Sequence, residues 1–328
     1  MTFRVEIEPS GHRFTLEPGE SLLDAALRSG LSVRYSCNSG SCGECRARVL
    51  RGEVAALAPA DYPLTEAERA AGAVLMCRTT AASDLVLEAV EASGVQDVPE
   101  QEIQTTVSRL KPLADDIIEL QLRTPRSKTL WFLAGQYAVL ETVDGIRHAG
   151  SIASCPCNGM LLQFHVARDD ADPFAGRVFD GLKLRDQVRV RGPYGDFVLD
   201  EDSKRPAVFI AWETGFAAIK SLIEHAIALE VSQPLRLYWA VGYPGGHYME
   251  NFARSWREAL DDYDFVPLVG GPAGEEVAAA LGRADLTLRD ADVYVSGPPP
   301  FVEGLRPVLL AAGVPPGRLF TDRLQPRA

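Results

Sequence analysis

Four cysteines in the first third of the chain have the type and spacing of iron ligands. Cys37, Cys42 and Cys45 share one short segment, and Cys77 follows at a distance, which gives C-x4-C-x2-C and a lone fourth cysteine. This is the plant-type spacing of the ligands of a [2Fe-2S] cluster. The pattern therefore predicts a redox centre that handles single electrons.

The segment between the first three cysteines consists almost entirely of small residues. Gly40 and Gly43 permit the positive φ angles that a tight loop needs in order to direct backbone N–H groups at cluster sulfurs. Two alternatives are a set of buried structural thiols and a zinc site. Structural zinc usually takes two close cysteine pairs, which this spacing lacks. We therefore favour the cluster.

The elements around these cysteines predict a small domain over residues 1–92. Apolar residues alternate from Phe3 to Ile7, as in a half-buried strand. Ser21 can cap a helix, and Gly30 can end it. A polar stretch at 93–104 is typical of a linker.

The rest of the chain changes its pattern once. Residues 105–200 contain many short strand-like segments, which predict a small antiparallel barrel. Residues 205–328 alternate buried strands with helices, which predicts a doubly wound parallel sheet. The chain is thus predicted to be a multidomain α/β protein.

The composition is that of an ordinary globular protein, with 46% hydrophobic and 24% charged residues. A net charge of −12 argues against direct binding of nucleic acid. No signal peptide or apolar run of about 18 residues is present, so we expect no membrane segment. A disulfide framework is not expected, which favours a reducing cytoplasm, and nothing in the sequence demands more than a monomer. The remaining cysteines, Cys155 and Cys157, are expected to be free thiols because one intervening residue would strain a disulfide.

Several further segments carry a family resemblance: Ala134–Tyr137, Ser151–Ser154, Gly192–Phe197, Thr214–Ala217 and Ser296–Pro299. With the cysteine loop, they resemble the oxygenase-coupled NAD(P)H-dependent ferredoxin reductases, including the deoxysugar-reductase type, over essentially the whole chain. The resemblance implies a β-grasp ferredoxin domain, an antiparallel flavin-type β-barrel and a doubly wound NAD-type domain. In that family, NAD(P)H gives a hydride to FAD, and FAD passes single electrons to the cluster.

The flavin signature of the family, R-x-Y-S, is altered in this chain. His148 stands where the family has the arginine that pairs with the flavin pyrophosphate, and Gly150 replaces the stacking tyrosine. Ser151, which the resemblance places near flavin N5, is kept. Arg147 is adjacent and could substitute for the arginine only from the opposite face, because neighbouring residues of a strand face opposite ways.

A second flavin signature, G-x-x-S/T, has its best match at Asp172–Ala175, where Ala175 supplies no hydroxyl. The aromatic residue that the family has near its C-terminus aligns with Leu324. The resemblance therefore implies a weakened FAD site. Its candidate residues are Tyr137, Arg147, His148, Gly150, Ser151 and Ala175.

The nicotinamide signature of the family, roughly A-G-G-T-G, also departs. Trp212 and Glu213 replace two glycines, whereas Thr214 and Gly215 remain. Trp212 adds bulk, and Glu213 adds a negative charge that would repel a dinucleotide phosphate by about 3 kcal/mol at about 5 Å and an effective dielectric of about 20. The resemblance also implies a cysteine near the nicotinamide, and in this chain Ser296 replaces that cysteine and is followed by Gly297.

These departures predict that the site no longer uses NAD(P)H, and no residue is assigned a catalytic role. The preferred hypothesis is a redox-responsive regulator, which accepts electrons from a ferredoxin and signals to a transcription activator of a catabolic pathway. One branch of the family acts in this way in tetralin (aromatic hydrocarbon) catabolism. The alternatives are an NAD(P)H-dependent reductase with atypical motifs and a simple electron-transfer subunit.

Overall fold

The computed structural model describes residues 2–271, 274–283 and 287–322. Within them the chain forms three large sheets and one two-stranded sheet, with helices packed around them. Leu324 lies outside the described residues. The three large sheets follow one another along the sequence, and each corresponds to one of the three predicted regions.

The first region carries the cysteines. Its elements are, in chain order, β1 (Phe3–Glu8), β2 (Arg13–Leu16), α1 (Leu22–Arg28), β3 (Arg46–Arg51), β4 (Val54–Ala56), α2 (Glu66–Ala70), β5 (Ala73–Leu75), β6 (Thr79–Ala81) and β7 (Leu85–Ala89). The main sheet has the order β2-β1-β7-β3-β5, with β1 parallel to β7, and β4 pairs with β6. This mixed sheet with a helix packed on it is the predicted β-grasp arrangement.

Helix α1 is stabilised both by a side-chain cap at its N-terminus and by an apolar face that packs into the core. Ser21 Oγ accepts a hydrogen bond from the backbone N–H of Asp24 at 3.0 Å, and Gly30 follows the helix with a φ of 78°. Leu22 and Leu23 are fully buried in the same core as Cys45. Helix α1 therefore packs in the same core that holds Cys45, the last cysteine of the loop.

The second region is a curled, six-stranded antiparallel barrel. Its elements are β8 (Gln101–Ala114), β9 (Ile117–Arg123), β10 (Tyr137–Thr142), β11 (Arg147–Ser151), β12 (Leu161–Ala167), α3 (Pro173–Asp180) and β13 (Gln187–Tyr194). The strand order is β11-β10-β13-β8-β9-β12. Strand β8 begins at Gln101, so it takes in the last residues of the predicted linker, because Ile103 is buried in the barrel core. The domain limits themselves stay a prediction.

The third region is a five-stranded parallel sheet. Its elements are β14 (Ala207–Trp212), α4 (Phe216–Ala228), β15 (Leu235–Val241), α5 (Glu250–Ser255), β16 (Tyr263–Val269), α6 (Glu275–Leu281), β17 (Asp292–Ser296), α7 (Pro299–Ala311) and β18 (Leu319–Thr321). The strand order is β16-β15-β14-β17-β18. The chain winds outward in both directions from β14, so the carboxyl ends of β14 and β17 flank the topological switch point. Ligands of such sheets bind in this crevice.

Each face of the parallel sheet has its own apolar core. Phe216 stacks on Trp239 with ring centroids 3.9 Å apart on one face, and Trp256 packs nearby. Trp239 and Trp256 are both buried in this core. None of the helices in the described part of the chain is both long and apolar enough to cross a membrane.

Candidate functional site

The four cysteines meet at one end of the first region. Cys37, Cys42 and Cys45 lie in the loop between α1 and β3, and Cys77 lies in a 3-10 turn that follows β5. Cys45 Sγ and Cys77 Sγ are 3.3 Å apart. Cys42 is the most accessible of the four, and the other three are buried.

Backbone and side-chain donors surround the sulfurs of this loop. The N–H of Ser39 donates to Cys37 Sγ and that of Glu44 to Cys42 Sγ, both at 3.4 Å. Burial opposes ionisation of Cys37, but hydrogen bonds from Ser39 and Ser41 outweigh it and lower the pKa of this thiol to about 5. Hydrogen bonds thus stabilise the thiolate of Cys37, which is the form that binds iron, whereas burial raises the pKa of Cys42.

The donor set fits a two-iron cluster. Among the described residues, no group of three or more His, Cys, Asp or Glu side chains is arranged around a single metal ion. A [2Fe-2S] cluster distributes four cysteines over two irons, so it needs two close pairs facing each other. The close approach of Cys45 and Cys77, together with the N–H donors, agrees with that requirement.

The flavin-type residues lie along paired strands β10 and β11. Tyr137 is the register partner of Ser151, and both side chains are buried. Gly150 packs tightly against the Phe164 ring, since a Cβ there would lie only 3.3 Å from it. Ala175 is 1% exposed inside the barrel core, so it presents no group to a ligand.

His148 is already paired within the protein. Its Nδ1 lies 2.8 Å from Asp172 Oδ2, and its ring stacks on Phe174 with centroids 4.9 Å apart. Asp172 also caps α3, because Oδ1 accepts from the backbone N–H of Phe174 at 2.8 Å. Burial lowers the pKa of His148, and Asp172 opposes this effect. Arg147 faces away and pairs with Glu141 at 2.7 Å.

Sequence reasoning missed one residue of this site, Asp322. Ser151 Oγ donates to Asp322 Oδ2 at 3.1 Å, and Ser296 Oγ donates to the same oxygen at 2.9 Å. Asp322 directly follows β18, so the contact joins β11 of the barrel to the carboxyl edge of the parallel sheet. An acidic residue at the end of a parallel strand was the available signal. Burial raises its pKa to about 6, and the hydrogen bonds from Ser296 and Ser151 oppose the rise.

The structure corrects the expectation that Trp212 adds bulk to the nucleotide loop. Trp212 is the last residue of β14. It lies on the same face of the sheet as Ile210, and its ring packs into the core on that face. It packs against Phe301 with centroids 5.4 Å apart. Gly297 lies so close that its Cβ would be 3.0 Å from that of Trp212. The Trp212 ring thus lies in the core beneath the loop.

Glu213 has a left-handed backbone conformation, which is uncommon for a residue other than glycine. Its φ is 45°, and its carbonyl accepts from Trp239 Nε1 at 3.1 Å. Thr214 follows, and Gly215 approaches β17 so closely that a Cβ would lie 2.4 Å from the carbonyl oxygen of Ser296. The half-buried Glu213 therefore stands just before α4, at an end of the helix that favours anions.

The prediction of free thiols at Cys155 and Cys157 is wrong. The two form a disulfide with their Cα atoms 5.3 Å apart, which lies inside the usual range of about 4.4–6.8 Å. Cys155 is extended and precedes the 3-10 turn Pro156–Asn158, and this local geometry brings the two sulfurs together.

Comparisons with known proteins place the whole chain. The family "2Fe-2S iron-sulfur cluster binding domain" matches residues 5–82. The CDP-6-deoxy-L-threo-D-glycero-4-hexulose-3-dehydrase reductase of Yersinia pestis is 31% identical, with 99% of each protein covered. The chain belongs to the oxygenase-coupled ferredoxin reductase family. The propane 2-monooxygenase reductase component of Rhodococcus jostii (strain RHA1) is 30% identical over 98% of this chain and 90% of that protein.

A solved structure of this reductase family agrees over the same span. The cytochrome P450 reductase of Amycolatopsis superposes with a TM-score of 0.63 at 29% identity, covering 99% of both chains. The predicted three-part fold is thereby confirmed. The match over residues 5–82 supports the predicted [2Fe-2S] cluster, and membership in the ferredoxin reductase family supports FAD.

Replacing Gly43 by alanine is expected to reduce cluster loading several-fold. Gly43 has a φ of 79°, which strains any side chain, and a Cβ would lie 2.4 Å from the Tyr62 ring, so the loop or the ring must shift. The measurement is cluster absorbance per chain. Gly11→Ala is the matched control, because its φ is 75° but no atom lies within 4 Å of the new Cβ. Equal loading in both variants would contradict the steric argument.

Asp322→Asn is expected to change how stability depends on pH. A pKa near 6 in the folded protein exceeds the value of about 4 in an unfolded chain, so the free energy of unfolding falls as pH rises from about 4 through about 6. Between pH 5 and pH 7, wild type should lose on the order of 1 kcal/mol more than the variant. Urea denaturation at both pH values measures this difference, and the exposed Asp290→Asn should keep the wild-type dependence.

Proposed function

We propose that the protein is the reductase component of an oxygenase system. In this proposal, electrons enter from NAD(P)H through FAD, pass singly to the [2Fe-2S] cluster, and leave to an oxygenase or ferredoxin partner. The observation that carries it is the shared contact of Ser151 and Ser296 with one oxygen of Asp322. The resemblance implies that Ser151 lies beside the flavin and Ser296 beside the nicotinamide, and these two positions meet.

In this proposal, different residues of the chain bind the flavin, exchange a proton and bind the irons. Bound FAD supplies the change from two-electron to one-electron transfer. Ser151 and Tyr137 would hold it along β10 and β11, where both are buried. Asp322 can gain or lose a proton near neutral pH beside both hydroxyl groups, since its pKa is about 6. The cysteine loop would hold the irons.

His148 fits the flavin phosphates less well than the arginine of the family does. The Asp172 carboxylate pairs with it and caps α3, so an incoming phosphate would meet a negative charge there. We propose that FAD binds more weakly here than in family members that keep the arginine. Nicotinamide binding is proposed to be weakened by Glu213 but not blocked, because Trp212 is packed into the core.

An anaerobic titration of the cluster-loaded protein tests the proposal. Millimolar NADH or NADPH should bleach the visible bands of flavin and cluster, and dithionite should bleach them fully. The bleached protein should then reduce cytochrome c. If dithionite bleaches both bands while neither nucleotide bleaches any of them, the reductase proposal fails.

That failure would leave the second candidate, the redox-responsive regulator. Its favouring observation is Glu213, a negative charge at the N-terminal end of α4 where a dinucleotide phosphate would approach. The relatives named above are reductases, so they give no support to a transcription activator as partner. A pull-down in which only one redox state of the protein retains an activator would support the regulator.

A further inference from the structure

The disulfide between Cys155 and Cys157 lies where the three regions of the protein meet. It occupies the turn between β11 of the barrel and β12. Just before it, the carbonyl of Ser154 accepts from Ser221 Oγ of α4 at 2.9 Å. Just after it, the N–H of Gly159 donates to the hydroxyl of Tyr35 at 2.9 Å. The turn therefore contacts both the nucleotide-type region and the cluster region.

Two contacts connect this turn to the cluster loop. Tyr35 lies two residues before the cluster ligand Cys37. In addition, a cavity of about 240 Å³ is bordered by Cys157 on one side and on the other by Asn38, the residue that follows Cys37. A change in the turn can therefore affect the ligand loop through the Gly159–Tyr35 hydrogen bond and through the cavity that Cys157 and Asn38 both line.

A structural role explains this disulfide poorly. It closes a loop of only three residues, and the stabilisation from a crosslink falls as the closed loop shortens. Where thiols are kept reduced, the disulfides that do form are usually catalytic or redox-sensing.

The two cysteines differ in exposure and in their neighbours. Cys155 is 8% exposed, and its backbone N–H donates to the carboxyl of Glu224, which Lys220 pairs at 2.8 Å. Cys157 is half-buried and borders the cavity. An attacking thiolate can thus reach the Cys157 sulfur more readily than the other.

We propose that Cys155 and Cys157 form a second redox site, which exchanges two electrons with dithiols and whose state alters the cluster environment through Gly159 and Tyr35. A thiolate of the dithiol attacks Cys157 Sγ, the bond to Cys155 Sγ breaks, and Cys155 leaves as a thiolate that takes up a proton. The second thiol of the reagent then attacks the mixed disulfide and releases Cys157. The reagent ends as a cyclic disulfide, and the protein gains two electrons and two protons.

The first test titrates the pair in the full, cluster-loaded chain. The protein is equilibrated anaerobically in buffers of reduced and oxidised dithiothreitol or glutathione, denatured with an alkylating reagent, and analysed by peptide mass spectrometry. The fraction of reduced pair should follow a reversible two-electron curve, with no loss of cluster from the protein. A pair that stays disulfide in the most reducing buffer, or dithiol in the most oxidising one, overturns the proposal.

The second test asks whether the cluster senses the pair. The visible circular dichroism of the cluster should shift between the two states in wild type. Tyr35→Phe keeps both cysteines and should titrate normally but lose most of this shift. Tyr263→Phe is the control, because its hydroxyl has no hydrogen-bond partner among the described residues, and it should keep the shift. No shift in wild type, or an equal shift in Tyr35→Phe, overturns the coupling.

Cys157→Ser adds an independent check, since it should remove both the two-electron titration and the dichroism shift. If this variant does not fold, the titration of wild type and the comparison with Tyr35→Phe still decide the proposal. Neither test depends on NAD(P)H or an oxygenase. A positive result would therefore stand even if the reductase proposal failed.

Discussion

Cys77→Ser is expected to abolish the visible absorption of the iron-sulfur cluster. Cys77 is the ligand contributed from outside the loop, and its sulfur lies 3.3 Å from that of Cys45. Serine keeps nearly the same size but offers a hydroxyl in place of the soft thiolate that iron-sulfur clusters select. The measurement is the absorbance and iron content per chain after anaerobic reconstitution.

Loss of the cluster should also lower the melting temperature of the first region. The metal connects the loop of Cys37 to a turn far along the sequence, and binding energy that requires the folded site contributes to folding. Cys157→Ser is the matched control, because it removes a cysteine outside the loop and should keep full cluster content. Normal cluster content in Cys77→Ser would show that the assigned ligand is wrong.

Glu213→Gly is expected to strengthen NADH binding about a hundredfold. Glu213 places a carboxylate just before α4, where a dinucleotide phosphate would approach. A like-charge pair at about 5 Å and an effective dielectric of about 20 costs about 3 kcal/mol, which corresponds to a factor of about a hundred or more in affinity. The dissociation constant from an anaerobic flavin or fluorescence titration measures the effect, which should weaken at high salt.

Glu230→Gly controls for the other consequences of that change. Glu230 also has a positive φ, 53° against 45° for Glu213, so glycine relieves the same kind of backbone strain and removes one negative charge. It follows the C-terminal end of α4, away from the crevice. NADH affinity should stay within about twofold of wild type. Equal gains in the two variants would show that net charge or backbone strain, and not the position of Glu213, limits binding.

Local patterns in the sequence determined much of the molecule. Cys37, Cys42 and Cys45 share one loop, so their spacing alone constrains the site. The cap at Ser21 and the alternation in β1 each depend on residues only a few positions apart, and both are present in the structure. The three-part fold followed from the change in strand and helix period along the chain.

Only the tertiary structure decided contacts between distant residues. Asp322 and Ser151 are 171 positions apart, and no local period relates them. The pairing of His148 with Asp172 and the direction of the Trp212 ring likewise depended on how β11, α3 and α7 pack. A sequence specifies local backbone preference and burial, whereas packing determines which buried side chains meet. The ligand loop was therefore predictable, and the junction of flavin, nucleotide and cluster regions was not.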